Sequence, residues 1–168
     1  MPDIGEFSGV KWCDECLTLP VVVLIIGFVA SAQTGSNAAA TALRKLNTTV
    51  DWNVSSAKAA DVDCDGKPDT VILGSERDTV VVGVVWGKAS KQPQVFMFPV
   101  GRPAQDGFCS NPTTINVSPL NCQTNDGRPL PGCKVAAGCR AFAIPDNDYD
   151  PFNFYWGSSR AALSWWRL

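Results

Sequence analysis

Residues 69–99 carry three apolar runs separated by two polar breaks. Thr70-Val71-Ile72-Leu73-Gly74 is mostly β-branched and ends at Glu76-Arg77-Asp78. Thr79-Val80-Val81-Val82-Gly83-Val84-Val85-Trp86 follows, residues 87–93 are polar, and Gln94-Val95-Phe96-Met97-Phe98-Pro99 completes the set. Runs of this length, rich in β-branched and aromatic residues and bounded by turn residues, read as strands. Short turns make sequential neighbours antiparallel, as in a meander. The middle run is apolar at nearly every position, so both its faces are expected to be covered. A lone meander is not stable in water and needs a packing partner. One is offered by Phe152-Asn153-Phe154-Tyr155-Trp156 and residues 161–166, which read as a hairpin turning at Gly157-Ser158-Ser159-Arg160. Alternation puts Phe152, Phe154 and Trp156 on one face, opposite Leu163 and Trp165, and rings this dense point to a core. Tyr155 and Trp166 fall on the alternate face, where an exposed aromatic pair would suit a protein interface. The expected fold is mainly β: an antiparallel meander packed with a C-terminal hairpin, as a small sandwich or a partial propeller-like sheet.

The amino-terminal pattern is different. Leu17-Thr18-Leu19-Pro20-Val21-Val22-Val23-Leu24-Ile25-Ile26-Gly27-Phe28-Val29 is apolar, short for a membrane span, and leads to Ala30-Ser31-Ala32. That is the pattern of a secretory signal peptide with an A-x-A cleavage site, which makes residues 1–32 a leader and 33–168 a single exported domain. The leader is atypical, since Asp3, Glu6, Asp14 and Glu15 stand against Lys11 alone where a positive region is expected. An uncleaved anchor is the alternative. Further on, the alanines of Ala38-Ala39-Ala40-Thr41-Ala42-Leu43 favour a short helix capped by Asn37, with a disordered leader as the other option.

Charge and composition narrow the chemistry. The chain carries a formal net charge of −2 and no histidine. Loss of residues 1–32 would leave one more base than acid, with no basic stripe, so nucleic acid is not an expected partner. Without histidine there is no Ser-His-Asp or Cys-His catalysis and no His-ligated zinc. The expectation is of a protein that is not an enzyme.

One stretch stands out: Asp61-Val62-Asp63-Cys64-Asp65-Gly66-Lys67-Pro68-Asp69. Three carboxylates at every second residue, a glycine and a fourth carboxylate repel one another unless a cation sits among them. Ca²⁺ suits the arrangement, being a hard ion that takes six to eight oxygens in flexible geometry. Asp61, Asp63 and Asp65 would supply side-chain oxygens, Lys67 its carbonyl and Asp69 the closing ligand, with Gly66 making the turn. An EF-hand would need a bidentate Glu at position 12 and flanking helices, but Ile72 stands there and a strand follows. The loop resembles the FG-GAP/VCBS class of calcium-binding repeats, in which D-x-D-x-D-G-x-x-D runs directly into a hydrophobic strand. Those repeats usually occur in series as β-propellers, and this chain has one good copy. A second run, Asp146-Asn147-Asp148-Tyr149-Asp150, repeats the spacing without the glycine. It reads first as a turn before the hairpin and second as a further cation site formed by Asp146, Asp148 and Asp150.

Residues 101–140 are rich in proline and contain Cys109, Cys122, Cys133 and Cys139. In an exported chain these read as two disulfides with three connectivities open. Short loops close most readily, which favours Cys109–Cys122 and Cys133–Cys139 and leaves Cys64 as the odd thiol. A calcium loop in an exported, cross-linked β domain also resembles bacterial periplasmic lysozyme inhibitors and related immunity proteins. That resemblance implies a periplasmic or secreted protein-interaction module that plugs the cleft of a lysozyme-like peptidoglycan hydrolase. Against a cleft lined with carboxylates, Arg102, Arg128, Lys134 and Arg140 are the basic candidates. The FG-GAP resemblance implies instead a surface or adhesion module that binds glycan or protein.

Overall fold

The computed structural model describes residues 23–101, 106–147 and 149–168, with side chains from residue 35 onward. Helix α1 (Val23–Leu46) is followed by β1 (Asp51–Ala60), β2 (Asp69–Ser75), β3 (Thr79–Val85) and β4 (Gln94–Pro99). Then come β5 (Asn116–Pro119), β6 (Arg140–Ile144), β7 (Phe152–Gly157) and β8 (Ala162–Trp166). Each set of four strands forms its own antiparallel meander, in the orders β1-β2-β3-β4 and β5-β6-β7-β8. The chain is therefore mainly β, with two four-stranded sheets and no closed barrel among the described residues.

The two sheets share one core. Val71 and Leu73 of β2, Val80, Val82 and Val84 of β3, and Phe98 of β4 pack in the same cluster as Phe142, Ile144, Phe152, Phe154 and Trp156 of the second sheet. The expected hairpin faces hold, with Phe154 paired to Trp165 and Trp156 to Leu163 across β7 and β8. Phe98 meets Phe108, Phe152, Phe154 and Trp165, with ring centroids 4.6–6.1 Å apart, and so joins the sheets through aromatic contacts.

Both outer faces of the central strands are also covered, as the unbroken apolar run of β3 requires. On the first sheet, Ala40 and Leu43 of α1 press on Trp52, Ile72 and Val81. Gly83 sits beneath them, and a Cβ there would lie 2.5 Å from Leu43 Cδ1 and 2.8 Å from the Trp52 ring. On the second sheet a loop folds back so that Leu120, Leu130 and Cys139 cover Tyr155. The molecule is thus layered as helix, sheet, sheet and loop.

Several expectations change here. The helix is not confined to the alanine stretch, and Asn37 lies inside it rather than capping it, its carbonyl accepting a hydrogen bond from Thr41 Oγ1 at 2.9 Å. Residues 1–22, including Cys13 and Cys16, lie outside the described residues, while Ala30, Ser31, Ala32 and Gln33 fall within α1. Among the described residues no helix is long and apolar enough to cross a membrane.

The disulfides differ from the favoured pairing: they join Cys64 to Cys139 and Cys122 to Cys133. Cys109 belongs to neither bond. The two cross-links mark a chain that folds in an oxidising, extracellular-type compartment.

Candidate functional site

The acidic loop joins β1 to β2, and the pairing of Ala60 with Asp69 closes its base. Val62 anchors it by full burial in the inter-sheet core. Cys64 and Gly66 both adopt positive φ, 62° and 83°, a conformation that glycine takes without steric cost. These two bends turn the alternate carboxylates inward. Asp61 Oδ1 and Asp63 Oδ1 both accept from the Asp65 N–H at 3.1 Å, and Asp61 Oδ2 accepts from the Gly66 N–H at 3.0 Å. Asp65 Oδ1 in turn accepts from the Lys67 N–H at 3.0 Å. One oxygen from each of Asp61, Asp63 and Asp65 lies within 4.8 Å of the others. At that distance two like charges near a protein surface repel by roughly 3–4 kcal/mol.

Asp69 has a different task from the other three. Its Oδ2 accepts from the N–H groups of Val62 (2.9 Å) and Asp63 (3.3 Å), and its Oδ1 from that of Gly87 (2.8 Å). The side chain therefore fastens the loop to the end of β3. Burial pushes the Asp69 carboxyl above the ordinary carboxylate value, while the bonds from Gly87 and Val62 pull it back down.

Among the described residues, one cation reaches the cluster. Lys91, in the turn between β3 and β4, forms an ion pair with Asp63 Oδ2, whose side chain is fully buried. The ammonium lies 4.8 Å from the Trp156 ring centroid and 5.1 Å from that of Trp86, a cation–π arrangement that holds it in place. Trp86 Nε1 donates to the Gln92 carbonyl at 2.8 Å, which sets the turn that carries Lys91. Among the described residues, three converging carboxylates thus face a single ammonium. The donor set, all hard oxygen with flexible bidentate groups, fits Ca²⁺ better than a transition metal.

The loop is also tied to the second sheet. The Cys64–Cys139 disulfide and a 2.8 Å hydrogen bond from the Arg140 N–H to the Asp61 carbonyl hold it against the start of β6. Cys64 was legible as an odd thiol in an exported chain, but its partner was not. Lys91, Trp86 and Trp156 carried no local signal for a role beside the loop.

The other candidate residues scatter. Asp146 is buried and pairs with Arg167 Nη2 at 2.8 Å, while also accepting from the Cys109 N–H at 3.0 Å. It fastens the carboxyl end of the chain, and Asp150 is exposed. Asp148 and Arg102 lie outside the described residues. Arg128 pairs with Asp126 at the surface, and Lys134 and Arg140 are exposed. The proposed exposed aromatic pair is corrected: Tyr155 is buried beneath the folded-back loop, its hydroxyl donating to the Pro131 carbonyl at 3.3 Å, and Trp166 is half-buried.

Compared with known families, curated proteins and solved structures, the chain matches none of them.

Proposed function

We propose that this is an exported calcium-binding protein-interaction module, an inhibitor or immunity partner of a lysozyme-like peptidoglycan hydrolase. The supporting observation is the convergence of Asp61, Asp63 and Asp65 at the entrance to β2, with one ammonium among the described residues to balance three carboxylates. Ca²⁺ would be held by these side chains and the Lys67 carbonyl, and would supply the missing positive charge. Asp69 would act through the backbone, keeping the loop closed on β3. The interaction surface is assigned to the disulfide-bonded loop and the adjoining end of β6, where Arg128, Lys134 and Arg140 offer positive charge to an acidic cleft. Loops held on a rigid scaffold are where recognition is usually carried.

Two measurements test the proposal. Chelation of the purified protein is expected to lower the melting temperature by several degrees, because a ligand that binds only the folded state stabilises it. Asp65→Ala should remove that response; an unchanged response would place the ion elsewhere. Muramidase inhibition by the calcium-loaded protein should weaken in a Lys134→Glu, Arg140→Glu double variant. Failure to inhibit a panel of muramidases would remove the hydrolase from the proposal while leaving the calcium site standing.

A further inference from the structure

A recess of about 210 Å³ lies on the outer face of the second sheet, under the folded-back loop. Its floor includes Ala141 and Ala143 of β6, whose small side chains leave the space open between β5 and β7. Asn153 and Tyr155 of β7 and Trp166 of β8 form one side, and Asn121, Gln123 and Asn125 of the loop form the other. Among the described residues, no charged side chain lines it.

We infer that this recess binds one uncharged sugar ring of a glycan. Asn and Gln amides present a donor and an acceptor side by side, the pattern that adjacent sugar hydroxyls match because each both donates and accepts. The exposed amides of Asn121, Gln123 and Asn125 make no side-chain hydrogen bond among the described residues, so they are available to a ligand. Asn153 Nδ2 donates to the Pro151 carbonyl at 2.9 Å, which fixes the side chain and leaves its oxygen as an acceptor. Trp166 adds an indole beside this polar rim, an apolar surface for ring C–H groups. Phosphate, sulfate or carboxylate ligands would find no counter-charge among the described residues that line the recess, and burying an ion without a partner is costly.

The site is also ordered in advance. The Cys122–Cys133 disulfide, the Leu130 N–H to Cys122 carbonyl bond (2.9 Å) and the packing of Leu120 and Leu130 on Tyr155 hold the loop above the sheet. Fewer side chains and less backbone must then be fixed on binding. The inference stands apart from the calcium reading, since no lining residue belongs to the acidic loop.

The test is a titration of the full chain, in calcium and again in chelator, with glucose, galactose, mannose and N-acetylglucosamine, followed by tryptophan fluorescence and ligand-observed NMR. At least one uncharged sugar should bind in the millimolar range, with its sulfated or uronic counterpart no tighter. Ala143→Leu fills the floor and should weaken binding at least about tenfold with an unchanged melting temperature. An Asn121→Ala, Gln123→Ala pair of surface changes should do the same if Ala143→Leu fails to fold. Absence of binding by every sugar, preference for the charged forms, or binding that survives these substitutions would overturn the assignment.

Discussion

Ser56 shows how much one hydroxyl can carry. Between Asn53 and Lys58 the register of β1 on β2 shifts, and the ladder is interrupted. The Ser56 hydroxyl fills the gap, donating to the Asn53 carbonyl at 2.7 Å and accepting from the Leu73 N–H at 2.9 Å. Ser56→Ala leaves that buried N–H unsatisfied and is expected to destabilise by about 1–3 kcal/mol, measured by urea denaturation. Thr124 offers a second test at this scale. Its hydroxyl, followed by the Arg128 charge, holds the exposed Asp126 carboxyl below its ordinary value. A depressed carboxylate contributes stability above its unfolded pKa and loses it as pH falls through the folded one. Thr124→Val should therefore move the Asp126 midpoint upward in an NMR titration; an unmoved midpoint would assign the shift to Arg128 alone. The task of Ser56 is not legible in the sequence, nor is the Lys91–Asp63 pair. Ser56 reads as an ordinary polar position, and the Lys91–Asp63 pair joins residues 28 apart.

The strands were legible in proportion to how apolar they are. β2, β3, β4, β7 and β8 fall where β-branched and aromatic runs place them, because those side chains are the core. β1 was hidden: it offers Trp52 as its one large buried side chain, and its bulge breaks the two-residue period on which pattern reading depends. β5 is exposed at all four positions, and β6 sets just two large apolar side chains, Phe142 and Ile144, among alanines, so neither carried a signal. Helix α1 was seen only in part, because its contact with the sheet is a tertiary fact. That contact rests on Gly83, where Leu43 and Trp52 occupy the space a side chain would need. Gly83→Ala is expected to cost about 1–3 kcal/mol by overpacking against a rigid indole, read from thermal unfolding. A change within experimental error would mean that helix and sheet can separate freely at this point.

At the scale of the molecule, the clustering of Asp61, Asp63 and Asp65 was legible, whereas the backbone-holding task of Asp69 and the wiring around the loop were not. The spacing of these carboxylates is local in sequence, whereas Cys64 and Cys139 are 75 residues apart. Loop-closure entropy favours short cross-links, but it grows only logarithmically with length, so sheet packing easily decides the partner. That long tie has a consequence for biogenesis. In a polypeptide threaded amino end first into an oxidising space, Cys64 arrives before Cys109, Cys122 and Cys133, and Cys139 arrives last. An oxidase joining thiols in order of arrival would make a wrong bond, which exchange must then undo. Synthesis coupled to translocation into an oxidising lumen should accordingly yield more native material with a disulfide isomerase than with oxidant alone, and equal yields would show that the wrong bond does not form before Cys139 arrives.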